Sequence, residues 1–234
     1  MKTIGLIGGM SWESSQTYYR LINQGVRDAL GGLHSARLVM YSVDFAEIET
    51  LQHQGDWEAT ATILAKAAGA LEAAGADFMV LCTNTMHKVA EQIEQAVSIP
   101  LLHIADATAS VLRSAGVTSV GLLGTRFTME QAFYRDRLEQ QGIRVLIPDE
   151  SQRERVHGVI YDELCLGQIR DDSRQVYLDI VASLAERGAQ GVILGCTEIG
   201  LLIQATDTEI ALYDTTRIHA EQAVRVALTD KPAD

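Results

Sequence analysis

The sequence predicts an α/β protein with two pseudo-symmetric lobes, each a parallel sheet flanked by helices. Short runs rich in Val, Ile and Leu alternate with longer segments of helical period, which is typical of a parallel sheet covered on both faces. Similar segments also recur in the two halves of the chain. The 234 residues, 47% of them hydrophobic, are enough for one large domain or two lobes of roughly 100 residues each.

The apolar runs predict strands over residues 2–8, 36–43, 77–82, 119–124, 144–148, 191–195 and 209–214. Helical periodicity predicts helices over residues 13–27, 57–74, 127–141, 173–187 and 215–228. Ser11 is placed to cap the first of these helices. Pro100 falls where a helix ending near Val97 gives way to an extended segment, so it marks the predicted lobe boundary. The prediction assigns residues 1–98 plus 208–234 to the first lobe and 99–207 to the second.

A weak internal repeat supports two lobes. KTIGLIGGM resembles TSVGLLGTRFTM, and LEAAGADFMVLCTNT resembles LAERGAQGVILGCTE. A duplicated unit would explain this repeat, and so would the strand, glycine and helix pattern common to α/β proteins. The polar residues at matching places go beyond that pattern. They are Thr83-Asn84-Thr85 in the first half and Cys196-Thr197-Glu198 in the second.

Composition and charge exclude several classes of function. The net charge of −12 is unfavourable for binding nucleic acid or an anionic membrane surface, so we expect a small-molecule ligand. We find no signal-peptide pattern and no apolar run near the ~20 residues of a membrane span, and we expect a cytoplasmic protein. The three cysteines lack metal-ligand spacing, so neither a disulfide scaffold nor a metal site is expected. GLIGGM departs from the dinucleotide-binding pattern.

Ligands of open α/β sheets bind beyond the carboxyl ends of the strands, where Thr83 and Cys196 lie in the predicted lobes. If the lobes face each other, these two residues flank one cleft, and the amides of Asn84, Thr85 and Thr197 are available for a carboxylate. This arrangement suits proton transfer on two faces of one carbon. A helix N-terminus would lower the pKa of Cys196 from about 8.5. Alternatively, Cys196 is a small buried hydrophobic residue.

The motifs GLIGGMSWESS, CTNTMH and LGCTEIGLL, in this order and spacing, resemble the aspartate/glutamate racemase family. MSWES, LLGTRFTM and ELCLGQ are similar to its enterobacterial amino-acid racemase branch, and the resemblance covers essentially the whole chain. It implies a homodimeric enzyme without a cofactor. It also implies two lobes that each present a cysteine, one removing the α-proton and the other reprotonating the opposite face.

The family motif Cys-Asn-Thr, a spacer and His matches Asn84, Thr85 and His87, and this register places Thr83 rather than Cys82 at the first catalytic position. Because adjacent strand residues point to opposite faces, we expect Cys82 to pack behind the sheet. A hydroxyl can donate or relay a proton but is a poor base. The chain therefore departs from the two-cysteine pattern.

Several further residues have both a functional and a structural interpretation. Met10 either borders the substrate or packs beside a turn, and Gln52 either contributes to side-chain selectivity or is an exposed loop amide. Thr125 and Thr128 either bind substrate or cap the helix that begins near Phe127.

Other residues near the two catalytic positions are equally open. His87 follows the first catalytic position or is structural. Glu198 either orients groups near Cys196 or is a first-turn helix acid. Nothing around Lys88 indicates a Schiff base.

The substrate is less constrained than the reaction. Aspartate-selective relatives hold the distal carboxylate with an Arg and a Lys, and the Lys comes from a segment like Glu-Leu-Lys-Lys-Gly, which here reads Glu-Leu-Cys165-Leu-Gly. Arg126, Gln52 or helix amides are candidates to replace the missing Lys.

The main interpretation is a racemase of aspartate and glutamate with an apparent preference for the L substrates. The alternatives are a broad-specificity racemase of neutral amino acids, a one-thiol decarboxylase of substituted malonates, and a binding protein without turnover.

Overall fold

The protein, described here for residues 1–229 by a computed structural model, divides into two compact units. Unit 1 comprises Met1–His103 and the chain from His219 onward, and unit 2 comprises Ile104–Ile218. Each unit contains a four-stranded sheet in which every pair of neighbouring strands is parallel. The predicted fold class is therefore confirmed.

The first part of the chain forms all four strands of unit 1 and most of its helices. Its strands are β1 (Ile4–Gly8), β2 (Leu38–Ser42), β3 (Phe78–Leu81) and β4 (Leu101–Leu102). Its helices are α1 (Trp12–Leu30), α2 (Phe45–Gln54), α3 (Trp57–Ala73) and α4 (Ala90–Gln95), and a 3-10 turn covers Thr85–Val89. Ser11 accepts the Ser14 N–H, which confirms it as the N-cap of α1.

Unit 2 follows without interruption. Its helices are α5 (Ile104–Ser114), α6 (Arg126–Glu130), α7 (Ala132–Glu139), α8 (Glu150–Asp162), α9 (Asp171–Glu186) and α10 (Ile199–Leu202). Its strands are β5 (Ser119–Gly124), β6 (Arg144–Leu146), β7 (Val192–Gly195) and β8 (Leu212–Asp214), and a 3-10 turn covers Leu164–Leu166. The last helix, α11 (Thr215–Leu228), begins in unit 2 and continues into unit 1.

The two sheets have the same topology. The strand order is β2-β1-β3-β4 in unit 1 and β6-β5-β7-β8 in unit 2. The central pairs also correspond, because Ile7 of β1 pairs with Leu81 of β3, and Leu123 of β5 pairs with Leu194 of β7. This correspondence supports the repeat seen in the sequence.

Each sheet carries an apolar core on both faces. In unit 1, Met79 and Leu81 of β3 face the cluster built with α3, whereas Phe78 and Val80 face the cluster built with α1 and α11. In unit 2, Val192 and Leu194 face one cluster and Ile193 faces the other. Strands buried on both faces have continuous apolar sequences, which is why the sequence predicted them.

Close backbone contacts at the strand ends require glycine. A side chain at Gly124 would place its Cβ 2.9 Å from the Gly195 carbonyl oxygen, so the ends of β5 and β7 approach more closely than larger residues allow. Gly9, after β1, has a φ of 99°. Its Cβ position lies 2.2 Å from the Val43 carbonyl oxygen. The contact between the β5 and β7 ends and the turn after β1 therefore both depend on the absence of a side chain.

The unit boundaries differ from the predicted lobe boundaries. The prediction placed residues 208–234 in the first lobe, but β8 pairs with β7 in the second sheet, so the chain as far as Ile218 belongs to unit 2. Residues 99–103 belong to unit 1 because β4 pairs with β3. Residues 230–234 of the predicted lobe lie outside the described residues.

Several predicted elements also change. The helix predicted over 127–141 is divided at Gln131, whose backbone is extended. The prediction did not include α2, α5, α8 and α10. Within residues 1–229, no helix combines the length and apolar composition needed to cross a membrane.

Candidate active site

Thr83 and Cys196 occupy equivalent positions in the two units. Thr83 lies two residues after Leu81, the last β3 residue paired with β1, and Cys196 lies two residues after Leu194 of β7, which pairs with Leu123 of β5. Both therefore follow the carboxyl end of the second central strand of their sheet, which is where ligands of α/β sheets bind. This equivalence matches Thr83, rather than Cys82, with Cys196.

Cys82 lies in the core. Its side chain is 0% exposed within the cluster that contains Val80, and its Sγ lies 3.9 Å from the Val80 carbonyl oxygen. Burial raises the pKa of the Cys82 thiol well above its ordinary value. The expected packing of Cys82 behind the sheet is therefore confirmed, and this thiol is poorly suited to ionise.

The backbone around Thr83 is held from both sides. The Thr83 N–H donates to the Leu81 carbonyl at 2.8 Å, and the Thr83 carbonyl accepts from the His87 Nδ1 at 2.8 Å. The hydroxyl of Ser14 donates to the Cys82 carbonyl at 3.0 Å. Thr83 itself is partly exposed. Its side chain therefore extends from a fixed turn at the carboxyl end of β3.

Asn84 and Thr85 continue this turn and are 3% and 5% exposed. Asn84 immediately precedes the 3-10 turn Thr85–Val89. Met10 follows β1, the strand beside β3, and is buried in the apolar cluster that contains Ile7. Gln52 lies in α2 and is 3% exposed, with its Nε2 3.7 Å from the Met86 Sδ, so the alternative of an exposed loop amide is wrong.

Cys196 forms a close pair with Glu198 in unit 2. The Cys196 thiol is 8% exposed and donates to the Glu198 Oε2 at 3.0 Å. Burial raises the pKa of Cys196 well above its ordinary value, and the negative charge of Glu198 raises it further. The predicted lowering by a helix N-terminus is wrong, because α10 has only four residues and burial dominates.

Glu198 connects Cys196 to Thr197. The Thr197 hydroxyl donates to the same Oε2 at 2.6 Å, and the Glu198 side chain is 4% exposed. Glu198 stands directly before α10 but makes no capping hydrogen bond with it. Its carboxylate therefore acts on the thiol and the hydroxyl rather than on the helix.

Thr125 follows β5, the strand beside β7. It caps α6 by accepting the Thr128 N–H at 3.3 Å, and the two hydroxyl oxygens lie 3.2 Å apart. Thr125 is therefore the N-cap of α6, and Thr128 lies within that helix and donates its backbone N–H to the cap. Arg126 is exposed, and Cys165 packs against the apolar cluster that contains Cys196.

The sequence analysis missed two serines that shape the first half of the site. Ser14 fixes the carbonyl before Thr83, and the Ser15 hydroxyl accepts the Gly9 N–H at 2.7 Å. Both belong to the MSWESS motif, and their position one turn after the Ser11 cap is the signal that identifies them. Among residues 1–229, no group of three or more His, Cys, Asp or Glu side chains is arranged so that it could hold a metal ion.

Comparisons with known proteins match both the sequence and the fold of this chain. The model of the Asp/Glu/hydantoin racemase family matches residues 7–223. A candidate Asp/Glu racemase of known structure from Yersinia pestis is 56% identical, with a TM-score of 0.91 over 97% of this chain and 100% of that one. An aspartate racemase homologue from Pyrococcus horikoshii is 35% identical, with a TM-score of 0.84 over 97% and 99% of the two chains.

A more distant relative has a broader described activity. The broad specificity amino-acid racemase RacX of Bacillus subtilis is 28% identical over 161 residues, which are 68% of each chain. The family match extends over most of the sequence and includes both strand ends that carry Thr83 and Cys196. The chain belongs to the Asp/Glu/hydantoin racemase family, and it is a racemase of the class that works without pyridoxal phosphate.

Proposed function

We propose that the enzyme interconverts the L and D forms of aspartate and glutamate, with Cys196 and Thr83 as its two proton-transferring residues. The observation that carries this proposal is the equivalent placement of the two residues after β3 and β7. The deep burial of Cys82 supports Thr83 over its neighbour.

Cys196 is the base for the L substrate in this mechanism. Because the pKa of Cys196 is raised, its thiol needs a nearby acceptor in order to ionise. It first gives its proton to the Glu198 carboxylate 3.0 Å away. The resulting thiolate removes the α-proton, and the electron pair of the broken C–H bond remains on the substrate as a carbanion. The Thr83 hydroxyl donates its proton to the opposite face and regains one from solvent. Cys196 keeps the α-proton as its thiol proton, and Glu198 releases the proton that it accepted to solvent, which restores the starting state.

The substrate groups are assigned to the remaining predicted residues. Amides of Asn84, Thr85 and Thr197 bind the α-carboxylate, and Met10, Gln52 and Thr125 contact the substrate near them. Arg126 is the cation assigned to the distal carboxylate of an acidic substrate, since it is exposed and follows β5. We further propose a homodimer that acts on a small molecule and binds neither nucleic acid nor membrane.

A broad-specificity racemase is the second candidate. Cys165 stands where aspartate-selective relatives carry a Lys, and its packing beside the Cys196 cluster provides no positive charge for a distal carboxylate. The likeness to RacX favours the same alternative. Relative kcat/KM for aspartate, glutamate and neutral amino acids decides between the two candidates.

The test of racemisation uses L-aspartate and L-glutamate in deuterated water, read by chiral chromatography and mass spectrometry. We expect slow turnover that looks L-selective early and reaches a racemic mixture after long incubation. Free enantiomers have equal free energy, so the two kcat/KM values must be equal. Deuterium should appear in the D product before it accumulates in the L substrate.

Three outcomes would contradict the proposal. Rapid deuteration of the L substrate without D product would mean that Cys196 works alone, as in a one-thiol enzyme. Release of carbon dioxide from substituted malonates would identify that enzyme as a decarboxylase. Binding of amino acids without exchange of the α-proton would indicate a binding protein.

A further inference from the structure

We propose that His87 is a positioning residue that sets the orientation of the Thr83 hydroxyl through the Thr83 carbonyl. This inference rests on the proposed function, in which Thr83 transfers a proton. His87 is 3% exposed, and its Nδ1 lies 2.8 Å from the carbonyl oxygen of Thr83. Because a carbonyl only accepts, Nδ1 carries the proton in this hydrogen bond.

The local backbone explains why a side chain is needed here. In a regular α-helix the carbonyl of residue 83 would accept the N–H of residue 87. In this turn the His87 N–H donates to the Asn84 carbonyl instead, at 3.1 Å. The imidazole of His87 therefore takes the place of its own backbone amide and binds the Thr83 carbonyl.

This contact fixes the peptide that follows Thr83. The N–H of Thr83 is already bound to the Leu81 carbonyl, so the residue is held at its amide and at its carbonyl. With both peptide planes fixed, the Cα–Cβ bond of Thr83 has one direction, and rotation of the hydroxyl is limited to its staggered positions. A proton donor must be oriented to this degree to meet a reacting carbon.

The imidazole of His87 is itself held in place. Its ring lies 4.5 Å from the ring of His103 and 5.9 Å from that of His219, both with tilted ring planes. His219 in turn binds the Tyr18 hydroxyl at 2.9 Å and donates to the Leu102 carbonyl at 2.8 Å. A buried set of three histidines thus supports the carbonyl of one residue at the site.

Substitutions at position 87 separate positioning from packing. The side-chain amide nitrogen of asparagine can occupy the place of Nδ1, whereas leucine fills a similar volume without a donor. We expect His87→Leu to lower kcat for L-aspartate or L-glutamate at least 30-fold with less than a threefold change in KM. His87→Asn should keep kcat within about fivefold of the wild type.

A double-mutant cycle with Thr83→Ala provides the decisive control. If His87 acts through Thr83, adding His87→Leu to Thr83→Ala should reduce the residual rate by less than threefold. Three results would overturn the inference. They are an equal loss of kcat in His87→Asn and His87→Leu, an unchanged kcat in His87→Leu, and full additivity of the two substitutions in the cycle. Circular dichroism verifies folding, and if His87→Leu does not fold, the comparison of His87→Asn with His87→Gln decides, because glutamine places its donor one bond further away.

The same series distinguishes this inference from the proposed function. A wild-type enzyme that fails to exchange the α-proton in deuterated water contradicts the proposed function itself. An active wild type with indifferent position-87 variants contradicts only the role of His87.

Discussion

Replacing Cys196 with alanine removes the group that we assign as the base for the L substrate. We expect Cys196→Ala to abolish racemisation and leave the fold intact, since this side chain lies at the border of its cluster. The matched control is Cys82→Ala, which should lose little activity because that thiol lies in the core. Chiral chromatography measures both rates. More than a tenth of the wild-type rate in Cys196→Ala would rule out the mechanism.

Thr83 is the weaker of the two proton-transferring residues because a hydroxyl ionises far less readily than a thiol. Thr83→Cys should raise turnover of the D substrates, and Thr83→Ala should lower kcat more than it changes KM. Thr83→Ser, which keeps the hydroxyl, is the control and should stay close to the wild type. If Thr83→Cys and Thr83→Ala both leave the kinetics unchanged from both enantiomers, Cys82 rather than Thr83 is the first catalytic residue.

Glu198 has two effects on Cys196 that a single substitution separates. Its charge contributes to the raised pKa of Cys196, and its carboxylate is the nearby acceptor for the thiol proton. Glu198→Gln should therefore speed alkylation of Cys196 by iodoacetamide at a fixed pH, yet slow racemisation by about tenfold or more. Peptide mass spectrometry identifies the alkylated cysteine.

Thr197→Val is the control for Glu198→Gln, because it removes the hydroxyl bound to Glu198 but leaves the charge. Its alkylation rate should change less than that of Glu198→Gln. If alkylation and racemisation both fall in Glu198→Gln, Glu198 stabilises the thiol by packing rather than by charge.

At the scale of single elements, α11 introduces a pH dependence into the stability of unit 1. Its His219 is buried between Tyr18 of α1 and Leu102 of β4. Burial lowers the pKa of His219 to about 4 from its ordinary 6.5. The unfolded chain therefore binds a proton below pH 6.5 that the folded protein excludes until about pH 4.

The free energy of unfolding should consequently fall as the pH drops from about 6.5 to about 4, by about 3 kcal/mol in total from this group. Urea unfolding at a series of pH values measures it. His219→Gln should flatten the dependence in this interval, whereas substitution of the exposed His34 by glutamine should leave it unchanged. An equal slope in wild type and His219→Gln would show that other groups control acid stability.

The elements also show what sequence reasoning can reach. Long strands such as β1 and β5 were predicted because both of their faces are buried. The two-residue β4 is too short for any periodicity. Helix α8 was missed because its sequence is largely polar, with only Val156 and Ile160 buried. The break between α6 and α7 at Gln131 was not predicted, because no glycine or proline marks it in the sequence.

Some properties of the site residues could likewise be predicted from the sequence, and others could not. Thr83 and Cys196 were predicted because motif and strand ends coincide. The raised pKa of Cys196 was not predicted, because it depends on burial and on the direction of the Glu198 side chain. Helix α2 was not predicted because it has little amphipathic pattern, and the burial of its Gln52 arises from tertiary packing.

At the scale of the whole molecule, the two units differ in their independence. Both apolar clusters of unit 2 are formed within Ile104–Ile218. One cluster of unit 1 needs Ala220, Ala223, Val224 and Ala227 of α11, which follow unit 2 in the chain. We therefore expect a fragment of residues 104–218 to fold alone and residues 1–103 to remain unfolded.

Circular dichroism and urea titration of the two fragments test this expectation. A cooperative transition from the 104–218 fragment and none from 1–103 is the expected result. Adding a peptide of residues 215–229 to the 1–103 fragment should increase its helicity. Cooperative unfolding of 1–103 by itself would show that the α11 cluster is dispensable.

The late position of α11 has a consequence for biosynthesis. About 115 residues separate the two parts of unit 1, and a ribosome adding about 5–20 residues per second needs roughly 6 to 23 s to make them. During this interval the nascent first domain exposes the apolar surfaces of Ile22 and Val26 that α11 later covers. We therefore expect unit 1 to complete its folding after unit 2, and we expect the growing polypeptide to bind chaperones of ribosome-bound chains in the meantime.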